Sequence, residues 1–259
     1  VPFVESELKS PLSLIKRITF MRDMKVIAPW KTLRQHADEI LKDQRLRFIM
    51  DRYATYSGSD PRKAPAVLST IAFVEESFGA WHVKGGLGNL TTTVHKRAVD
   101  VGVTFHLNSP VASIQTTGNK ASGVVLADGT IVEADAVIAN ADASLVYNKL
   151  ITGHKRTLKK ARKNIANADV SVAGFSLLLG MRKDPEQVLN HHTILFPENY
   201  DAEFDAIFKE GKPVEKPTIY ICAPQDELMS KDENLEGWFV LVNAPTHGQF
   251  DWNNAEFST

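Results

Sequence analysis

The sequence predicts an α+β protein, in which a helical layer covers a mixed β-sheet and a small β-meander forms a separate piece. Apolar residues at helical spacing over residues 8–56 predict the helices. Two turn signals between apolar runs, Gly118-Asn119 and Asp128-Gly129, predict the meander. Four apolar runs after residue 170, separated by a helical stretch and polar loops, predict the larger sheet.

The first part of the chain, residues 1–82, is expected to be helical. Pro11 suits the first turn of a helix, and Pro65 opens another that ends before Gly79. The loop at 57–65 is recognised by its Ser, Gly and Pro content. Between the two prolines, apolar residues recur at helical spacing in three segments, 12–21, 33–41 and 46–53. Each segment predicts a helix with one apolar, inward-facing side.

The middle part, residues 83–145, predicts a compact unit that mixes one helix with short strands. A short strand-like run at 80–84 leads into a helix that Gly102 stops. A strand at 103–107, the meander and a final strand at 134–142 follow. This order resembles an insertion more than an independent domain.

The last part, residues 146–259, predicts the sheet. The helix at 198–211 carries acidic residues in its first turn and Lys209 before Gly211, which suits the helix dipole. The expected strands are at 169–181, 191–196, 218–223 and 238–244. Strands of this kind with an intervening helix predict a sheet covered on one face.

Composition narrows the class of protein. The 259 residues carry a net charge of −1, so nothing in the overall charge indicates a nucleic-acid partner. Cys222 is the single cysteine, which excludes an intrachain disulfide and favours a reducing, cytoplasmic location. The longest apolar run, 170–180, is shorter than the roughly 20 residues that cross a bilayer. Neither end resembles a natural terminus, so we expect the chain to lie inside a longer protein.

The stretch AWHVKGGLGNL at residues 80–90 raises the question of a phosphate-binding loop. Gly86 and Gly88 begin a GxGxxG pattern, but Thr91 replaces its third glycine, and no GK[ST] sequence follows. This is therefore not the primary phosphate loop of a nucleotide fold. Two interpretations remain: a tight turn into a helix without a ligand, or a helix start whose amides attract an anion or carbonyl beside a flat ligand.

A longer pattern around this stretch resembles the flavin-dependent bacterial phytoene desaturases, a branch of the amine-oxidase-like FAD superfamily. The resemblance covers about residues 10–252, and the segments that carry it are at 42–48, 75–142, 191–208, 218–224 and 238–248. The HHT and NAP runs at 191–193 and 243–245 are what narrow it to the desaturase branch. One segment, QDELMSKDENLEG at 225–237, departs from the Thr-Asp-Pro-like run of that family and leaves the substrate subtype open.

The resemblance implies that the chain is the central fragment of such an enzyme. Residues 83–145 are then the segment that returns to the FAD domain, between a helical part (1–82) and a sheet part (146–259) of a substrate domain. A GxGxxG unit is expected about 100 to 150 residues before Val1. A second FAD segment is expected after Thr259. We expect the fragment alone to be inactive and to bind FAD weakly or not at all.

The resemblance also implies the chemistry. A long apolar precursor such as phytoene loses two hydrogens beside its polyene, with a hydride passing to FAD, so an apolar channel is expected. Gly85 and Gly86 match the glycine pair near the flavin, and Val111 matches the position whose backbone meets the adenine. Trp81 either walls the flavin or substrate end or is a core residue. No catalytic acid or base is assigned.

Two alternatives to this function stay open. One is another amine-oxidase-like flavoprotein that acts on a different apolar or amine substrate. The other is a non-enzymatic relative that binds a lipid or a protein partner. FAD binding and product analysis discriminate between them.

The histidines and the cysteine do not predict a metal site. His191 and His192 are adjacent in a predicted strand, so their side chains are expected on opposite faces. His95 is expected to be solvated on a helix flank and His247 to lie in a loop. Cys222 is expected to be a core thiol.

Two segments are candidates for contact with a membrane surface. The basic run at 154–163 predicts either a solvated helix face or a surface that binds anionic lipid headgroups. The segment at 12–27 interleaves apolar and basic residues, which fits an interfacial amphipathic helix or ordinary packing on the sheet. A substrate that dissolves in bilayers is consistent with either contact.

Overall fold

A computed structural model describes residues 28–118, 120–151, 156–184, 186 and 189–252. The predicted helix and amphipathic segment before residue 28 lie outside these residues. The chain divides into two compact units. We call residues 1–91 with 171–259 the sheet unit, and residues 92–170 the meander unit. The three-part division at residues 82 and 145 stays a prediction.

The elements follow the predicted order along the described residues. The helices are α1 (Leu33–Ile40), α2 (Gln44–Tyr56), α3 (Thr70–Phe78), α4 (Leu87–Asp100), α5 (Ala143–Leu145), α6 (Arg156–Ala166) and α7 (Asp201–Asp205). The strands are β1 (Val111–Thr117), β2 (Lys120–Leu126), β3 (Ile131–Glu133), β4 (Ala173–Arg182), β5 (His192–Leu195), β6 (Ile219–Cys222) and β7 (Leu235–Ala244). Short 3₁₀ turns at Ala66–Ser69 and Glu227–Met229, and π turns at Val146–Leu150 and Ala206–Glu210, complete the list. No described helix has the length and apolarity that a membrane-crossing segment needs.

Local chemistry sets the helix ends. Thr32 caps α1 through its hydroxyl, which accepts from the Gln35 amide, while the Gln35 side chain accepts from the Thr32 amide. This reciprocal capping box satisfies two of the amides that a helix start leaves unpaired. Asp43 caps α2 by accepting from the Arg45 amide. Gly79 ends α3 at a positive φ of 78°, as the sequence predicts.

The larger sheet has the strand order β4-β7-β6-β5. All three strand pairs are antiparallel, so the expected mixed sheet is wrong for the described residues. The pairing of β4 with β7 extends over ten residues, from Ala173–Ala244 to Arg182–Leu235. Antiparallel neighbours do not require the crossover helices of a parallel sheet, which explains why a single helical stretch suffices between these strands.

The sheet unit contains a true core. Leu33, Tyr53, Ala54 and Ala64 are buried together, and α2 also places Phe48 against Tyr200, with ring centroids 5.3 Å apart. Tyr200 continues this packing onto Phe204 at 4.7 Å. The two helical segments at 33–78 and 200–210 are therefore fixed by apolar burial.

Buried polar groups also link α7 to β7 and α1 to α2 in the sheet unit. Glu203, fully buried on α7, accepts from the Thr218 amide at 2.6 Å and from the Asn243 side chain at 2.8 Å. Asp51 on α2 is only 1% exposed and accepts from Arg34 Nε at 2.6 Å. Its other oxygen has no hydrogen-bond partner. Burial raises the pKa of Asp51 to about 6, against the opposing effect of Arg34.

The meander unit is built differently. β1, β2 and β3 pair in order as antiparallel neighbours, and Gly129 (φ 88°) makes the predicted Asp-Gly turn. Ile114, Val146 and Leu158 are its buried apolar side chains among the described residues. Helix α4, which begins in the sheet unit and continues here, has no buried residue.

Three of the predicted strands in the middle part of the chain are wrong. Residues 80–84, 103–107 and 134–142 form loops, bends or turns, without a strand partner among the described residues. A strand exists only where a neighbour satisfies its amides and carbonyls. Apolar alternation alone therefore overestimates strand content here.

Candidate functional site

The glycine turn, residues 83–86, leads directly into α4. Its backbone closes through a hydrogen bond from the Gly86 amide to the Val83 carbonyl at 2.8 Å. Gly85 and Gly86 have φ angles of 77° and 88°, a region that residues with a Cβ atom avoid. The two predicted flavin contacts thus lie in a turn that only glycine forms without strain.

Asp226 holds this turn in place. Its carboxylate accepts from the Gly85 amide at 2.5 Å, from the Leu228 amide at 3.0 Å, and pairs with His82 Nε2 at 2.8 Å. The carboxylate is only 6% exposed. Hydrogen bonds from His82 first, then from the amides of Gly85 and Leu228, lower the pKa of Asp226 to about 2. It is therefore an anion at neutral pH.

The position of Asp226 decides which part of a flavin nucleotide fits the glycine turn. A diphosphate at the Gly85 amide would meet an ionised carboxylate that already accepts from this donor, and like charges repel. A neutral, flat group avoids this repulsion, and at Gly86 it would have to displace the Met229 side chain, which lies 3.4 Å from where a Cβ atom would be. The residues present therefore do not fit the diphosphate of FAD, in agreement with the failed GxGxxG pattern, and contact with its ring system stays a prediction.

Sequence reasoning missed Asp226. It lies in the 225–237 segment, whose sequence indicates only a departure from the desaturase pattern. Gly85 and Asp226 are separated by 141 positions, and no local pattern relates them. An acid two residues before Leu228, at the start of a short helical turn, was the available signal for a cap.

The remaining predicted site residues have different surroundings. Trp81 is 89% exposed, and its Nε1 donates to the Phe78 carbonyl at 3.1 Å. The alternative of a core tryptophan is therefore wrong. Val111 lies in the meander unit as the first residue of β1, where it pairs with Leu126 and stays exposed. The contacts of Trp81 and Val111 with a flavin stay predictions.

The prediction that His191 and His192 point to opposite faces is wrong. Their ring centroids lie 4.5 Å apart, and the His82 ring is 4.9 Å from His191. The reason is that β5 begins at His192, so His191 precedes the strand and does not follow its strict alternation. Cys222 pairs with His192 across β5 and β6.

We call His82, His191, His192 and Cys222, with Tyr220, the histidine cluster. His192 Nδ1 is 2.8 Å from the Tyr220 hydroxyl. Burial, together with the neighbouring Cys222, raises the pKa of Tyr220 to about 12, so its hydroxyl stays protonated. Burial, followed by the charges of His192 and His82, lowers the pKa of His191. Two further histidines, His95 and His247, are exposed, as the sequence predicts.

One face of the larger sheet carries a continuous row of side chains. The register places Leu178, Phe239, Cys222 and His192 opposite one another across all four strands. Leu178, at the β4 edge, is 83% exposed. A Cβ atom at Gly180 or Gly237, the next pair along β4 and β7, would meet nothing within 4 Å. We call this surface the sheet-face row.

A cavity of about 950 Å³ is formed mainly by the 224–237 segment. Six acidic residues and two lysines are among those that line it: Asp184, Asp226, Glu227, Asp232, Glu233, Glu236, Lys183 and Lys231. Charged linings of this kind do not suit a hydrocarbon ligand, because the ligand would remove water from the charged side chains, and this desolvation costs free energy. An apolar ligand is better matched by the sheet-face row than by this cavity.

Comparison with known proteins places these features in a family. The sequence model of the family described as flavin containing amine oxidoreductase matches residues 8–198. A zeta-carotene-forming phytoene desaturase of Myxococcus xanthus is 36% identical over 85% of this chain and 42% of its own length. The 1-hydroxycarotenoid 3,4-desaturase of Flavobacterium sp. (strain P99-3) is 32% identical over 97% of this chain and 51% of its own. The 4,4'-diapolycopene oxygenase of Methylomonas sp is 30% identical over 82% and 41%.

The chain thus spans about half the length of these curated relatives. The resemblance to carotenoid desaturases that the sequence indicates is confirmed by them. The match to the family model covers well over half of the chain. The chain belongs to the flavin containing amine oxidoreductase family.

Proposed function

We propose that this chain is part of an FAD-dependent oxidoreductase that dehydrogenates a long apolar carotenoid precursor such as phytoene. The observation that carries the proposal is the similarity to a phytoene desaturase over 85% of the chain. The names of the other two relatives also specify carotenoids. A polyene is therefore the substrate class that all three relatives have in common.

The sheet-face row supports this substrate class. One aliphatic and one aromatic side chain, those of Leu178 and Phe239, make up half of the row and are exposed to solvent. Gly180 and Gly237 leave open space beside them. A four-stranded sheet is about 14 Å from first to last strand, at about 4.8 Å between neighbours. The apolar half of this surface, on β4 and β7, can bind a segment of an extended polyene.

The glycine turn is the part of the chain that we assign to FAD. The backbone of Gly85 and Gly86 would lie against the ring system, Trp81 would wall it, and Val111 would meet the adenine. The diphosphate would be held elsewhere, because Asp226 occupies the Gly85 amide. When bound, the flavin supplies the hydride acceptor for the removal of two hydrogens from a saturated carbon–carbon bond. The residues of the chain bind and orient the substrate, and no acid or base is assigned to the proton.

A membrane surface is the proposed source of the substrate. On α6, Lys159, Lys160 and Lys163 are exposed, while Leu158 is buried. Arg162 is not part of this basic face, since it donates to the Tyr147 and Ile151 carbonyls at 2.7 and 3.1 Å. Three exposed lysines near anionic headgroups would contribute about 3 kcal/mol to membrane attachment, at about 1 kcal/mol each. The segment at 12–27 is the second proposed contact.

The test is expression of the natural protein that contains this chain in a bacterial host that accumulates phytoene. We expect a yellow protein with bound FAD, and products that have lost pairs of hydrogens by mass spectrometry. Leu178→Asp should reduce product yield at least tenfold, because it places a charge on the apolar floor. Leu46→Asp, at another exposed leucine, is the matched control and should leave the yield unchanged.

Three results would contradict the proposal, and each indicates a different alternative. Products that gain oxygen would favour a carotenoid oxygenase, which the Methylomonas sp relative makes the second candidate. Flavin reduction by an amine, with phytoene unchanged, would indicate a flavoprotein with another substrate. Failure of the natural protein to bind FAD would indicate a non-enzymatic relative.

A further inference from the structure

Three side chains of the histidine cluster meet at one point of the sheet unit. The possible ligand atoms of His191, His192 and Cys222 all lie within 4.8 Å of one another. We propose that these three residues form a binding site for a single transition-metal ion of the zinc class. The site needs no flavin, and two of its ligands, His192 and Cys222, form the polar half of the sheet-face row.

The distances suit one ion after a small adjustment. Zinc binds a thiolate at about 2.3 Å and an imidazole at about 2.0–2.1 Å, so its tetrahedral ligand atoms are about 3.5 Å apart. Ligand atoms within 4.8 Å thus need to move by about an ångström, a shift that side-chain rotation supplies. His192 is exposed, and His191 and Cys222 are half-buried. The ion therefore has a path from solvent, and the imidazoles have room to turn.

The backbone holds the three ligands in register. His192 and Cys222 are cross-strand partners of β5 and β6, which places both side chains on the same sheet face. The Ala223 amide donates to the His191 carbonyl at 2.9 Å, so the residue before β5 is tied to the residue after β6. A site built on paired strands is better fixed than one on free loops.

The neighbouring side chains complete the arrangement. The Tyr220 hydroxyl engages Nδ1 of His192 and so leaves Nε2 available. Metal-binding histidines typically use their second nitrogen in this way, because the partner fixes the ring orientation. His82, though beside His191, pairs with Asp226 and is not counted as a ligand. Tyr220 is thus a positioning residue of the site.

The ligand types determine the metal class. Two imidazoles and one thiolate favour zinc, cobalt or copper over magnesium and calcium, which prefer oxygen ligands. Three protein ligands leave a fourth tetrahedral position for water or another small ligand. A site built from oxygen ligands would instead favour magnesium or calcium.

Cobalt(II) titration of the reduced, chelator-treated 259-residue chain tests the proposal. We expect one Co²⁺ per chain, with the visible spectrum of a tetrahedral ion and a sulfur-to-cobalt charge-transfer band that Zn²⁺ abolishes by displacement. Cys222 is the only cysteine, so this band reports the proposed site alone. Cys222→Ser should remove the band, and His191→Gln and His192→Gln should each weaken binding at least about tenfold.

Matched variants separate a ligand role from a change in the fold. His247→Gln replaces an exposed loop histidine and should leave the cobalt affinity unchanged. Tyr220→Phe should keep the sulfur band but lower the affinity about 10- to 100-fold, as loss of an outer partner does. Far-ultraviolet circular dichroism of each variant checks that the fold is kept. The absence of a sulfur band at saturating cobalt in the unaltered chain, or equal affinities for it and Cys222→Ser, would overturn the site.

Discussion

The sheet unit and the meander unit bury their apolar residues to different extents. In the sheet unit, α1 and α2 enclose Leu33, Tyr53 and Ala54, and α7 is fastened by the buried Glu203. In the meander unit, the hairpin buries Ile114, yet its part of α4 presents Val94 and Val99 to solvent, and the helix has no buried residue. The comparison indicates that the first unit is stabilised by its own packing. The second has an apolar helix face that suits the proposed contact with a flavin domain.

The largest expected effect is in the core of the sheet unit. Leu33→Ala should lower the free energy of unfolding by about 2–5 kcal/mol, because it leaves a cavity at a fully buried position. Leu46→Ala, on the neighbouring helix but half-exposed, should cost much less. Denaturant unfolding of both variants provides the measurement. Equal losses would contradict the idea that this unit is stabilised by internal packing.

Asp51 gives the sheet unit a distinct pH dependence. Its folded pKa of about 6 is raised above the unfolded value of 3.8, so the unfolded chain loses its proton first as pH rises. Stability should therefore fall between about pH 4 and pH 6, by roughly 3 kcal/mol at about 1.4 kcal/mol per pKa unit. Asp51→Asn should remove this dependence. If the free energy of unfolding changes with pH in the same way for both proteins across that range, Asp51 is not the group responsible.

Asp226 should have the opposite dependence. Its folded pKa of about 2 is lowered, so its contribution is complete above the unfolded value near 4 and is lost as pH falls from about 4 to 2. Asp226→Asn should lower the Tm at neutral pH, because the Gly85 and Leu228 amides and His82 lose an ionised acceptor. The difference from the unaltered chain should shrink toward pH 2. A constant difference at all pH values would indicate a role other than charge.

The smallest expected effect on stability is on the face of α4. Val94 is 60% exposed, and Val and Asp have similar helix propensities, so Val94→Asp should change stability by within about 0.5 kcal/mol. In the natural protein, the same change should weaken FAD binding if this face contacts the flavin domain. Isothermal titration with FAD measures this. A large loss of stability in the 259-residue chain would mean that the face is already packed.

The sequence predicts those features that local chemistry controls. Gly79 ends α3, Asp128 and Gly129 form a turn in which Thr130 N donates to Asp128 Oδ1 at 2.9 Å, and the four strands after residue 170 occur in order. Each depends on one residue's backbone preference or on a short apolar period.

Features that depend on distant partners were not predictable in this way. The expected strand at 103–107 has no neighbour among the described residues, and alternation cannot supply one. The opposite-face expectation for His191 and His192 failed because a strand boundary falls between them. Asp226 needed a fold that brings it to Gly85 across 141 positions. Pairing partners and long-range contacts are properties of the whole fold.

Hydrogen exchange of the natural protein, with and without FAD, tests the central claim most directly. FAD should slow exchange of the amides of the glycine turn and α4, while those of β4 and β7, already paired over ten residues, should change little. That pattern would place the flavin against the segment that begins at Gly85. Unchanged exchange in α4, with FAD bound at saturation, would contradict the account.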